Sequence, residues 1–226
     1  MGVDIKIVEE AKQPLTMNPK KFAMWLFLVT VFMVFAALSS AYIVRQAEGN
    51  WVYFELPALF WVNTVVILVS SATMHWAYVS AKRDNLESVK IAIVITTVLG
   101  FAFMIGQFMA WKELVVNRIH LVGNPSGSFL YMISGLHGAH VIGGVVYLLI
   151  ILNVGQVEFM KGSIFRYILK PLSILLVIPA VFMALSPKHM LKVNSRNFNP
   201  IEMCATYWHF LGGLWLYLFL FLLLKR

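Results

Sequence analysis

Charge is scarce in this chain, and thiol nearly absent. Asp, Glu, Lys and Arg together make up 12% of the 226 residues, 60% are hydrophobic, and the apolar residues fall in long unbroken blocks. So few charges cannot cover a soluble surface, and a mean hydropathy of +0.80 points to an integral membrane protein. The single cysteine, Cys204, excludes an intramolecular disulfide and any thiolate cluster built by this chain alone. The apolar–polar alternation of a barrel strand is missing too, which leaves helices as the spanning elements. Residues 1–21 mix Asp4, Glu9 and Glu10 with Lys6, Lys12, Lys20 and Lys21 and hold no apolar core. They read as a cytoplasmic tail, not a signal peptide.

A net charge of +8 raises the question of nucleic acid. The basic residues, however, sit in short clusters at the ends of apolar blocks, where lipid phosphates and the topology signal account for them. Nucleic-acid binding is not expected.

A helical crossing needs about 20 apolar residues. Five segments meet this: Phe22 to Val44, Pro57 to Ala81, Ile91 to Trp111, Ser128 to Asn153 and Met203 to Leu224. With five crossings and the N-terminus inside, thirteen of the 18 Lys and Arg residues fall on the inner side, favouring N-in, C-out. The stretch "PLSILLVIPAVFMALSP", Pro171 to Pro187, would be a sixth crossing, which changes thirteen inner charges to twelve. The charge rule barely separates the two models. Pro179 in its centre removes a helix hydrogen bond, which suits a re-entrant or interfacial helical insertion near 164–190 better than a straight span. The expected fold is thus an all-α membrane bundle of five transmembrane helices, with six spans as the alternative. After the tail, 22–226 forms one helical-bundle domain with an insertion at about 154–198.

Polar residues inside the spans are the candidates for function. Asn63, Ser70 and Ser71 in the second span are seven or eight apart and share a helix face, with His75 one turn further on. Gly100 and Gln107 share a face of the third span, and the Gln107 amide needs a partner. "SGLHGAHVIGG" in the fourth span sets His137 and His140 three apart among glycines that admit a neighbouring helix. In the fifth, Glu202 precedes His209 by seven residues. Three readings stay open: polar contacts holding spans four and five together, proton handling, and metal or haem ligation. The six histidines, at 75, 120, 137, 140, 189 and 209, do not form the boxes that a di-iron site needs.

Four stretches together resemble one family, subunit III of the haem–copper (cytochrome c or quinol) oxidases. "WLFLVTVFMVFAALSSAY" is similar to the family's first retained helix and "NTVVILVSSAT" to its Asn-Thr and Ser-Ser helix. "SGLHGAHVIGG" resembles Thr-Gly-x-His-Gly-x-His-Val with Ser134 for Thr, and "EMCATYWHFLGGLW" resembles Glu-x-x-x-x-Tyr-Trp-His-Phe-x-x-x-x-Trp. The likeness runs from about Phe22 to the end, apart from roughly Val154 to Phe198.

The resemblance implies a bundle without redox centres or a catalytic site of its own, bound laterally to oxidase subunit I. Subunit II, a small subunit IV and a respiratory supercomplex are further candidate partners. Haem and copper are expected in the partner subunits, and phospholipid is expected to be bound. The function implied is a non-catalytic subunit of a terminal oxidase in a bacterial inner membrane, sustaining proton uptake during oxygen reduction. His137, His140, Glu202, Tyr207, Trp208 and His209 are then its polar core, with Asn63, Ser71, His75 and Gln107 as lipid-cleft candidates. Three positions depart from the family pattern: Val31, Ala110 and Gly212 stand where larger members carry carboxylates, which favours structural support over direct proton transfer. The rival reading is a stand-alone transporter with a path through Gln107, His137, Glu202 and His209, against which the spans lack an inverted repeat.

Overall fold

The computed structural model describes residues 19–156 and 199–225. Within them the chain forms α1 (Pro19–Ala47), α2 (Leu59–Lys82), α3 (Leu86–Val116), α4 (Pro125–Gln156) and α5 (Asn199–Lys225). All five are long and apolar enough to cross a membrane. Four of them begin before the apolar blocks do. Hydropathy marks only the part in hydrocarbon, while the helical backbone continues until something else satisfies its terminal groups. At α3 that is Asn85, whose side chain accepts the Ser88 N–H at 3.2 Å, so the helix starts ahead of the apolar run at Ile91. A tight turn joins α2 to α3, with Asp84 in the left-handed region at φ 58°.

Helix directions follow from the side-chain contacts. Asn63 meets Gln107 and Thr73 meets Thr96, so α2 and α3 are antiparallel. Trp111 meets Ser134 on α4. The His137 ring lies 5.1 Å from that of Trp215 and Tyr147 reaches Pro200, which makes α4 and α5 antiparallel. Gln156 and Asn199 therefore lie toward the same end of the bundle. The five described helices fit the five-span arrangement. The expected insertion near 164–190 lies outside the described residues.

The core is shared by α2, α3, α4 and α5. Phe60, Ile67 and Met74 line α2 at intervals of seven and pack with Phe103, Ala110, Val141, Trp208 and Trp215. In lipid, neighbouring chains are as apolar as leucine, so close packing and hydrogen bonds hold helices together rather than the hydrophobic effect. Helix α1 is attached more lightly. It contacts α4 and α5 through Leu28, Val31, Phe35, Ser39 and Tyr42, one stripe of a helix that otherwise exposes Trp25, Phe32 and Met33. Val31 is packed in a cluster with Ile133, Leu214 and Leu218, and Ala110 is fully buried in the main core. Apolar side chains thus fill two of the places where the resemblance implies a carboxylate in larger members.

Candidate functional site

Two indoles of α5, seven residues apart, define the centre of the bundle. Trp208 Nε1–H donates to Ser70 Oγ at 2.9 Å and Trp215 Nε1–H donates to Thr64 Oγ1 at 3.1 Å, so α2 and α5 are joined at two levels. Thr64 in turn donates to the Phe60 carbonyl at 2.8 Å. The Trp208 ring fits because two neighbours lack side chains: a Cβ on Gly100 or Gly144 would stand 3.0 or 2.9 Å from its carbons. Three helices thus close on one indole, two of them through glycine.

Around this centre the predicted residues fall into separate groups. On α2 and α5, Ser71 Oγ and His209 Nδ1 are 2.5 Å apart, and the His75 ring lies 5.9 Å from that of His209. His75 itself is exposed. On α4 and α5, Tyr207 O–H donates to the His140 carbonyl at 2.9 Å. The His140 Nδ1–H donates to the Leu136 carbonyl at 2.7 Å, because a carbonyl can only accept. On α2 and α3, Asn63 Nδ2–H donates to Gln107 Oε1 at 3.4 Å, with Asn63 lying against Gly106, where a Cβ would collide with it.

Glu202 is apart from all of these. It sits in the first turn of α5, about one-third exposed, with Lys21 Nζ at 2.7 Å, and so ties the start of α1 to the start of α5. At the opposite end Tyr42 O–H and Gln46 Nε2–H donate to the Lys225 carbonyl, which shows α1 and α5 to be parallel. His137 is fully buried against Phe35, Phe103 and Trp215, at ring distances of 6.5, 5.8 and 5.1 Å. Neither of its ring nitrogens has a hydrogen-bond partner among the described residues.

Gln107, His137, Glu202 and His209 therefore do not join into one hydrogen-bonded chain among the described residues. Nor do three His, Cys, Asp or Glu side chains converge there as metal ligands would. The shared face of Asn63, Ser70 and Ser71 divides between two neighbours, α3 for the first and α5 for the others. Thr64, Trp215, Trp111, Ser134 and Lys21 carry inter-helix bonds that the candidate set omits. The seven-residue interval between Trp208 and Trp215 was the signal available for the two indole bonds of α5, since each buried indole N–H requires an acceptor.

These features define a multi-pass helical membrane protein whose interior polar groups largely serve helix contacts. A model of the family described as cytochrome c oxidase subunit III matches residues 8–163, and the chain belongs to that family. Among its relatives, a probable quinol oxidase subunit 3 of Staphylococcus saprophyticus is 25% identical over 89% of this chain and 87% of its own length. A cytochrome c oxidase subunit 3 of Thermostichus vulcanus is 24% identical over 85% of this chain and 81% of its own. A probable cytochrome c oxidase subunit 3 of Mycobacterium tuberculosis is 27% identical over 59% and 68% respectively. Family membership implies association with the catalytic oxidase subunits.

Proposed function

We propose that this chain is the non-catalytic subunit III of a respiratory haem–copper terminal oxidase in a bacterial inner membrane, with its N-terminus inside and C-terminus outside. It docks laterally on subunit I, near subunit II and a small subunit IV, and holds phospholipid against its apolar faces. By that support it sustains proton uptake during oxygen reduction. Haem and copper, which supply electron transfer and oxygen chemistry when bound, belong to the partner subunits. A supercomplex with another respiratory enzyme would be its larger setting.

The observation that carries this reading is how the interior polar groups are spent. Indole and phenol donors end on acceptors of neighbouring helices, as in the Trp208–Ser70, Trp215–Thr64 and Tyr207–His140 bonds. The ionisable residues of the proposed transport path stand in separate groups. What remains for interaction is the outer surface, where Trp25, Phe32 and Met33 of α1, Trp61 and Val65 of α2, and Val98, Ile105 and Phe108 of α3 are exposed. Apolar surface of this extent fits lipid and a membrane-embedded partner. Val31, Ala110 and Gly212 at the family's carboxylate positions support a structural role over a proton-carrying one.

The test is purification in mild detergent through a tag on the N-terminus, with identification of every chain that accompanies it. A many-span partner carrying haem is expected. A pure, colourless, partnerless protein that alters proton or solute flux in vesicles would overturn the proposal in favour of the transporter.

A further inference from the structure

We propose that the bundle contains a built site for water, enclosed between α3 and α4 and held by Gln107 and His137. Both side chains are buried, His137 completely and Gln107 to within 1%. Gln107 Nε2, His137 Nδ1 and His137 Nε2 are the buried side-chain atoms without a hydrogen-bond partner among the described residues. Such groups are costly inside a protein and more so inside a membrane, where no bulk solvent can reach them.

The register of the helices sets them at one level. Trp111 Nε1–H donates to Ser134 Oγ at 3.1 Å across the antiparallel α3–α4 pair. Gln107 is four residues back from Trp111, or about 6 Å along α3 at the usual helical rise. His137 and Gly138 are three and four residues on from Ser134, a matching displacement of about 4.5 to 6 Å along α4. Phe103 on α3 already touches the His137 ring at 5.8 Å, which closes the correspondence from the other side.

There is also room. Gly135 faces α3, since a Cβ there would lie 3.8 Å from the Trp111 ring. Gly138 lies three residues further along the same stripe, is buried, and would present a Cβ to nothing within 4 Å. The contrast with Gly100, Gly106 and Gly144 is sharp, because there a Cβ would come to 2.9 Å or closer to a neighbour. Space beside a buried glycine, on the level of three orphaned polar atoms, has the polarity and enclosure that an ordered interior water requires.

Water is the occupant because of its hydrogen-bonding capacity. It accepts from Gln107 Nε2–H and donates to the bare nitrogen of the neutral His137 imidazole, or accepts from its N–H. A lipid chain or other apolar molecule satisfies neither. The Asn63–Gln107 bond extends the link to α2, so one water joins three helices through Asn63, Gln107 and His137. Phe35, Phe103 and Trp215 close around the imidazole and separate it from the lipid. The site needs no partner subunit and stands independently of the oxidase reading.

The test is proton-detected solid-state NMR of the full chain in lipid, with nitrogen-15 in histidine and magnetisation transferred from water. The His137 ring signals are assigned by their loss in His137→Phe. We expect transfer from water to a His137 ring nitrogen at millisecond mixing times, and loss of that transfer in Gly138→Ala, whose methyl group occupies the space without a clash. Should Gly138→Ala not fold, the wild-type spectrum still decides. A wild-type His137 ring that receives nothing from water would overturn the proposal, and so would transfer that survives Gly138→Ala at full intensity.

Discussion

Trp208 and Ser70 meet at 2.9 Å across the α2–α5 contact, and the indole that makes the bond lies between Gly100 and Gly144. One residue thereby settles both the distance between helices and their register. The glycines set how closely the backbones approach, and the N–H fixes the height at which they do so. Three predictions follow from this centre and its surroundings, and a fourth from the lone cysteine.

Gly100→Ala or Gly144→Ala places a methyl group within 2.9 Å of Val145 or Trp208 respectively. Overpacking of this kind costs about 1 to 3 kcal/mol, and thermal unfolding in detergent should register it for both. Gly213→Ala, with nothing within 4 Å of its Cβ, is the control and should leave the midpoint in place.

A double-mutant cycle on Trp208→Phe and Ser70→Ala isolates the bond itself. Hydrogen bonds between transmembrane helices are worth about 0.6 kcal/mol on average and rarely more than about 1.7, so the coupling energy should lie in that range. Effects that simply add would mean the two groups do not meet in the folded protein.

The Lys21–Glu202 pair, by contrast, is about one-third exposed on each side chain, at 35% and 37%. Ion pairs open to solvent contribute about 0 to 1 kcal/mol and weaken with salt. Glu202→Gln should accordingly shift stability by less than the glycine substitutions do, and 0.5 M salt added to the wild type should reproduce most of that shift. A loss as large as that of Gly144→Ala would place Glu202 in a buried network instead.

Cys204 is the only thiol in the chain and is fully buried in the main core, four residues before Trp208. A maleimide should fail to label it in the folded protein and label it fully after denaturation. Rapid labelling of folded protein would mean that α5 does not pack against α2 and α4 as described.

Much of this architecture was legible in the amino-acid sequence, and for a physical reason. Hydrocarbon demands long apolar helices, so the five spans could be located by composition alone, while several ends were misplaced where polar residues such as Asn85 prolong a helix beyond its apolar run. Family motifs likewise drew attention to His137, His140, Tyr207, Trp208 and His209. Pairings were not legible. Whether Ser70 meets α3 or α5 depends on rotation and register of whole helices, which a face drawn on one helix does not contain. Glu202 and His209 share a face of α5, yet the first reaches α1 and the second α2. The surroundings of His137 were not legible either: the motif left structural contact, proton handling and metal or haem ligation open, and only the folded bundle sets its ring among Phe35, Phe103 and Trp215.

The most direct test of the account is to remove this chain alone from the purified assembly and record the reduced-minus-oxidised spectrum of both fractions, together with the number of turnovers before activity decays. The account predicts that all haem absorbance stays with the remaining subunits and that oxygen reduction continues but fails after fewer turnovers. Haem absorbance in the released chain, or an assembly whose turnover lifetime is unchanged without it, would contradict the claim that this protein is a supporting subunit of the oxidase.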